Sequence, residues 1–481
     1  MPEEEHEAPK TLFGGTIFED GLFGEKHDAH EYATWDEYID HTWFGHFVFK
    51  TLSGWGISRA LSLWIFFIGL LLILSHEIPD LPLFIIEWLA GTAPIWSPVM
   101  FLIAAWAAWI WYIQGLYISG RDPVLLEVKI PREITKSPRA MEVAMASLYN
   151  TGGESTFMHR IWLGQVRAWF SLEYASFGGE VHMYIWTWNN YRDNVESALY
   201  GQFPEIEIRQ VEDYASKFSY DPGKHKAFVT DHVYGRSDAY PLKTYIEFEL
   251  DKDPKEEFKV DPLGQIFEYL SSIKPGEQVW VQVLFRSTGR YFHPFFPKIA
   301  DKEWEKRVGD EVAQIRIDAS KSSTDPTKES FPRPTWKQTE QMRIMERQLG
   351  KIPFDVAVRA IYIADTTKTS YNGATFGGMR WFWKPINNPG YLNELKPSGG
   401  HNSFDFPWQD FMGIRNRLLT RRSIDAYRRR CAFHAPWRVK YQVMTNEVLA
   451  TMFHFPSSSI AAPGLERITS IKAEPPHNLP K

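Results

Sequence analysis

The chain has 481 residues, 44% of them apolar and 15% aromatic, and a formal net charge of −6 at pH 7. That much apolar side chain excludes a disordered protein and leaves room for two or three cores. Its single cysteine, Cys431, excludes an internal disulfide and a CxxC zinc site, and suits folding in a reducing compartment.

Residues 1–56 open with the acidic "MPEEEHE" and lead into "DAHEYATWDEYIDHTWFGHFVF". Tyr32, Trp35, Ile39 and Trp43 recur there at helical spacing, which predicts an amphipathic helix lying in a membrane interface. His27, His30, His41 and His46, with Glu31, lack an HExxH or comparable pair spacing. They read as amphipathic filler, so no metal and no other cofactor is assigned.

Residues 57–120 carry the strongest physical signal. No formal charge falls within 60–75 or within 88–120. At about 1.5 Å per residue the second stretch crosses a hydrocarbon core of about 30 Å, while the first is short and borrows flanking residues or continues past "HEIPDLP" with a proline kink. A transmembrane helical hairpin is predicted. Between its two segments there is no Lys or Arg and the only formally charged residues are Glu77, Asp80 and Glu87, whereas Lys50 and Arg59 precede the hairpin and Arg121, Lys129, Arg132, Lys136 and Arg139 follow it. Basic flanks belong inside, so both termini and everything after residue 120 are expected in the cytoplasm.

Over 121–220 the periodicity gives β-α-β-β-α-β. "VLLEVKI" reads as a strand and "SPRAMEVAMASLYN" as a helix, with Ser137 as N-cap and Pro138 at the first helical position. "RAWFSLEYASF" and "EVHMYIWTW" form a hairpin through Gly178 and Gly179. "NYRDNVESALYGQF" is helical, capped by Asn189 or Asn190, and "EIEIRQV" is the closing strand. That order is the ferredoxin-like split βαβ motif.

Over 221–455 a similar order recurs. "LKTYIEFEL" reads as a strand, "DPLGQIFEYLSSI" as a helix opened by Asp261 and Pro262, and "EQVWVQVLF" as a strand. Residues 290–350 interrupt with two charged helical stretches that predict a projecting helical hairpin, after which "FDVAVRAIYIA" resumes the sheet and "WRVKYQVMT" closes it. The expected fold class is therefore α+β: an N-terminal transmembrane hairpin, then two ferredoxin-like units, the second with a helical insertion. Residues 456–481 end in "ERITSIKAEPPHNLPK", whose prolines keep the backbone extended and predict a tether.

Catalytic signatures are sparse. Neither G-x-x-x-x-G-K-[ST] nor G-x-S-x-G occurs, so the sequence itself encodes no P-loop site and no nucleophile elbow. Asp231 with His232, and His401 with Asp405, are adjacent acid-base types of the kind any long chain contains, and they read as surface or loop groups. No catalytic residue is assigned and a non-enzyme is expected. One cluster exceeds background: Arg415, Arg417, Arg421, Arg422, Arg428, Arg429, Arg430 and Arg438 occur against the single acid Asp425. Such a block grips phosphates of nucleic acid, anionic lipid, or an acidic face of a partner subunit, or it is a solvated helix face with internal ion pairs.

"PREITKSPRAMEVAMASLYN", "SLEYASFGGEVHMYIWTWNNYRDNVESALYGQFPEIEIRQVEDY", "DPLGQIFEYLSSIKPGEQVWVQVLF", "FDVAVRAIYIAD" and "NEVLATMFHFP" with "KAEPPHNLP" together resemble the membrane-anchored amino-terminal region of type IV secretion, conjugation-type DNA-transfer ATPases of small-genome bacteria. In fused members of that family the proline-rich segment leads into a HerA/FtsK-like motor. The resemblance implies a bacterial plasma-membrane anchor that recruits a separate P-loop ATPase, forms homo-oligomers, and serves translocation of DNA or protein. Two alternatives stand beside it: a stand-alone membrane scaffold unrelated to DNA transfer, and an enzyme whose site assembles from residues distant in sequence.

Overall fold

The computed structural model describes residues 59–131, 134, 136–152, 154, 156–252, 260–289, 303–321, 334–369, 371–398, 404, 406–456, 460 and 463–468. The predicted interfacial helix and its histidines, His401, Asp405, and the proline-rich residues 469–481 lie outside them.

The chain divides into two compact units, one of residues 1–104 with 403–415, the other of residues 105–402 with 416–481. In the first, α1 (Arg59–Glu77) is a 19-residue apolar helix. The helix α2 (Leu81–Ser119) has 39 residues and runs on into the second unit. Among the described residues α2 is the one helix long and apolar enough to cross a membrane. Pro94 and Pro98 lie inside it without ending it.

The second unit is built on one ten-stranded sheet. Its elements are β1 (Pro123–Pro131), α3 (Pro138–Ser147), α4 (Phe157–Ile161), β2 (Trp169–Phe177), β3 (Glu180–Trp188), α5 (Arg192–Tyr200), β4 (Glu207–Val211), α6 (Tyr214–Lys217), β5 (His225–Tyr234), α7 (Leu263–Ser271) and β6 (Glu277–Ser287). There follow α8 (Glu303–Lys321), α9 (Trp336–Leu349), β7 (Pro353–Asp365), α10 (Gly373–Arg380), β8 (Leu395–Ser398), α11 (Ile414–Arg428), β9 (Gln442–Thr445), α12 (Asn446–Met452) and β10 (Arg467–Ile468).

The first half of the sheet has the order β4-β1-β3-β2, each neighbour antiparallel. The second half runs β6-β7-β5-β8, again antiparallel throughout. Nine register pairs between β2 and β6, from Trp169↔Arg286 to Phe177↔Gln278, join the halves edge to edge. Residues on the two sides of position 220 therefore share one sheet. Each half also inserts a helix between its first and second strands and another between its third and fourth, α3 and α5 in one, α7 and α10 in the other.

Alternation of side chains along the strands divides the core into two faces. Val279, Val281, Val283 and Phe285 of β6 join one cluster with residues of α3, α5, α7, α10 and α12. Trp280 and Leu284 face the other way, with Trp169, Trp186, Tyr214 and the α11 residues Ile424 and Tyr427.

Several predicted elements take another form. "LKTYIEFEL" is a set of turns in which Phe248 N–H donates to the Thr244 carbonyl and Leu250 N–H to that of Tyr245. Leu242, Thr244, Tyr245 and Leu250 are the buried residues, an irregular spacing that no strand would give. The first strand of the second half is instead β5. Only residues 442–445 of "WRVKYQVMT" pair, with β7. The two insertion helices lie against the body: Trp304 Nε1 donates to the Asp238 carbonyl at 3.0 Å, Arg307 is bidentate on Asp238, and Tyr240 OH donates to Glu311 at 3.0 Å. Asn189 and Asn190 form a 3-10 turn, leaving Tyr191 before the first residue of α5.

The described stretch of the predicted tether, residues 463–468, is docked on the sheet. Ile130 and Pro131 pair with Arg467 and Ile468, and Leu465 is buried. Gly464 crosses the β2–β3 turn so closely that a Cβ there would meet the Gly179 carbonyl oxygen at 1.8 Å. Gly178 and Gly179 themselves hold φ of +61 and +100, the positive values a tight hairpin needs.

Candidate functional site: an arginine face locked to the sheet

Directly paired strand residues share a face, so the register lines up a polar row across the sheet. It runs Arg209, Glu127, Tyr184, Glu173, Gln282, Arg359, Asp231, Ser398, one residue per strand from β4 to β8. At its middle, Glu173 is fully buried. Its carboxylate accepts from Ser171 Oγ at 2.7 Å, Tyr214 OH at 2.7 Å and Gln282 Nε2 at 3.0 Å. The Arg430 guanidinium completes the set, Nε to Oε1 at 3.0 Å and Nη2 to Oε2 at 3.1 Å.

Arg430 is the one member of the arginine block that is wholly buried. Besides Glu173 it grips both carboxylate oxygens of Asp213, Nη2 to Oδ1 at 2.8 Å. Burial by itself would raise the Glu173 carboxyl, but Arg430, Tyr214 and Ser171 outweigh it and hold the group below the ordinary glutamate range. Burial likewise works against the charge on Arg430, and its two carboxylates overcome that, keeping it a cation.

The backbone reason lies at the end of α11. Cys431 N–H donates to the Ala426 carbonyl and Arg430 N–H to that of Tyr427, the two bonds of a Schellman motif. The residue at its left-handed position is Arg430, with φ +50, where glycine is usual. The chain thereby turns the guanidinium inward onto Glu173 at the point where the helix ends. Thr420, Ile424 and Tyr427 pack downward, and Tyr427 OH meets Tyr214 OH at 2.7 Å.

The other seven arginines are exposed. Arg415, Arg422 and Arg429 follow one another at seven-residue spacing along one stripe of the helix and its end; Arg417, Arg421 and Arg428 form a second stripe at another angle around it. Arg429 is held by Asp425 at 3.0 Å and lies over Trp437, Arg422 donates to the Pro436 carbonyl at 2.8 Å, and Arg428 to the Ser216 carbonyl at 3.1 Å. Arg415 sits over the Phe404 ring, 5.0 Å from its centroid. Asp425 is the sole acid on α11, so the exposed face is strongly cationic.

The same face of the sheet carries two further buried ion pairs. Arg359 Nε donates to Asp231 at 3.0 Å, and Arg286 Nε to Asp355 at 3.0 Å, with Arg286 also over Phe433. The pairing of Asp231 with Arg359 disposes of the sequence pair Asp231 and His232. As strand neighbours they point to opposite faces, and His232 Nε2 instead meets the Arg380 carbonyl at 3.1 Å. Burial lowers His232 to about 4, so it is neutral at pH 7. Cys431 is buried and its thiol pushed up to about 11, which makes it an inert filler.

A second polar knot lies among the helices of the opposite face. Glu447 of α12 is fully buried and accepts from Thr244 at 2.7 Å, Gln348 at 2.9 Å and Arg347 at 2.9 Å. Lys351 reaches Glu142 of α3 at 2.6 Å and Glu447 at 3.4 Å. Sequence reasoning missed both knots because their charged partners lie far apart in the chain, Arg430 257 positions from Glu173 and Arg347 100 from Glu447. The only signals were polar residues interrupting apolar strands, at Glu173, Gln282 and Arg359.

Residues 170–380 match the profile of a family described as a domain of unknown function, DUF8128. The match takes in the strands from β2 to β7 and stops at the end of α10, before the arginine helix. No curated protein matches the chain.

Among the described residues no group of His, Cys, Asp and Glu is arranged to hold a metal ion. The arrangement does offer a fixed array of guanidinium groups on a rigid support, suited to recognising carboxylates or phosphates.

Proposed function

We propose that the protein is a non-catalytic membrane anchor and assembly subunit that presents the α11 arginine face to an acidic partner protein. The observation that carries this reading is the Arg430–Glu173–Asp213 lock, which fixes a cationic helix to a sheet whose chain continues directly from a helix long and apolar enough to cross a membrane. In keeping with the sequence resemblance, the partner is a P-loop ATPase of a type IV secretion-like machine, held beneath a bacterial plasma membrane. On this reading α1 and α2 form the transmembrane hairpin, with both ends and the sheet in the cytoplasm, because Arg121, Lys129, Lys136 and Arg139 follow the second helix. The two halves of the sheet are ferredoxin-like units, supported by their matching strand orders of 4-1-3-2 and 2-3-1-4. Homo-oligomers follow from the ring form of such motors.

The test is site-specific photocrosslinking in native membranes from position 421. Crosslinks to a polypeptide with a Walker A sequence support the reading. Crosslinks confined to lipid, nucleic acid or a second copy of this chain would overturn the assigned partner.

A further inference from the structure

The short helix α4 and the residues after it expose four large apolar side chains within seven positions: Phe157 at 60%, Met158 at 53%, Trp162 at 59% and Leu163 at 55%. Water is a poor environment for such a patch, and its burial needs a partner. The structure ties the patch to α2. Trp109 Nε1 donates to the Ile161 carbonyl at 2.9 Å, and the Trp109 and Trp162 rings meet edge to face at 5.6 Å. Two residues on, Gly164 (φ +60) approaches so closely that a Cβ would lie 2.3 Å from the Ile113 carbonyl oxygen. The patch thus has a fixed height along α2.

With α2 read as a membrane span, that height is the membrane surface. Counting from Trp88, the first residue after the last charge of the intervening segment, Glu87, the stretch 88–109 rises about 33 Å, close to the roughly 30 Å hydrocarbon thickness. The rest of α2 lies beyond the core, and Tyr117 and Ile118 already pack against the sheet domain. Trp109 and Trp162 are the amphipathic indoles that favour the headgroup level. His159 and Arg160 occur between the apolar residues, the composition of an interfacial segment facing lipid phosphates.

We propose that residues 157–163 form a foot that dips into the lipid interface beside α2 and sets the sheet domain against the bilayer. The proposal rests on the reading of α2 as a membrane span. Its occupant is lipid, because the patch is bonded to the very turn of α2 where the span ends.

The experiment uses the full chain, with Cys431 replaced by alanine, in liposomes of neutral and anionic phospholipid. Single spin labels are placed at Phe157→Cys, Trp162→Cys, Leu102→Cys on α2, and Asp193→Cys on exposed α5. Accessibility to oxygen and to a water-soluble nickel chelate is compared. Labels at 157 and 162 are expected to share the oxygen-rich, nickel-poor signature of 102, unlike 193. Aqueous signatures at 157 and 162 with a lipid signature at 102 overturn the foot alone; an aqueous signature at 102 overturns the membrane span itself. Exclusion of both reagents at 157 and 162 indicates a protein partner and also refutes the proposal. Because a label can perturb the short helix, photoactivatable lipid is used on the unaltered chain in parallel. Adducts within 157–163 are expected, and their absence alongside adducts in α2 refutes the foot.

Discussion

Replacing Arg430 with methionine removes the one cation that touches Glu173 among the described residues and leaves that carboxylate fully buried with three neutral donors, Ser171, Tyr214 and Gln282. Breaking a buried ion pair from one side costs about 3–5 kcal/mol. Protonation of the stranded acid sets a ceiling: bringing a glutamate from its free value to neutrality at pH 7 costs roughly 4 kcal/mol, at about 1.36 kcal/mol per pH unit. Asp213, whose side chain is 26% exposed, stays hydrated and adds little. Arg430→Met should therefore destabilise by about 3–4 kcal/mol. Adding Glu173→Gln to Arg430→Met should recover about 1–3 kcal/mol relative to the sum of the single effects. Urea unfolding of the detergent-solubilised chain, followed by tryptophan fluorescence and near-UV circular dichroism, gives each value. Strict additivity, or a cost below about 1 kcal/mol for Arg430→Met, would refute the lock.

Acid should act on the same pair. Glu173 has its carboxyl lowered in the fold, so its contribution is complete above the unfolded value and disappears as pH falls through the folded one. Arg430→Met should flatten the loss of stability below about pH 4, and an unchanged acid profile would contradict the assignment. Gly464→Ala must move backbone at the Gly179 carbonyl, so the 460–468 segment should detach at a cost of about 1–3 kcal/mol and become cleavable by protease, while the sheet persists. Cys431, with its thiol at about 11, should resist maleimide at pH 7.5 until the chain is unfolded; rapid native labelling would show the 426–431 turn opening. Arg417→Glu with Arg421→Glu should alter stability by less than about 1 kcal/mol, measured by the same urea titration, because both side chains are exposed.

The sheet was legible where apolar alternation was unbroken and the turn was made by glycines, as at Gly178 and Gly179. Single polar residues of the buried row, Glu173, Gln282 and Arg359, did not hide β2, β6 or β7, but the adjacent pair in β5 did hide that strand. In β5, Asp231 and His232 look like chemistry rather than a strand, because nothing local reveals Arg359 or the Arg380 carbonyl as their partners. β8 has four residues including Pro397, too few to carry a period. "LKTYIEFEL" alternates in sequence but curls, since Thr244 and Tyr245 are drawn to Glu447, Glu142 and Thr451 far along the chain. The arginine block was visible as composition. That seven of its members face outward and one is an internal lock follows only from the helix ending in a Schellman turn.

The central claim is tested most directly by purifying the full chain from native membranes in mild detergent and identifying the retained proteins by mass spectrometry, in parallel with the Arg417→Glu, Arg421→Glu variant. The account predicts a P-loop ATPase retained by the unaltered chain and lost from the variant, while the variant stays folded and in the membrane. An ATPase retained equally by both, or none retained under conditions that preserve other membrane complexes, would contradict it.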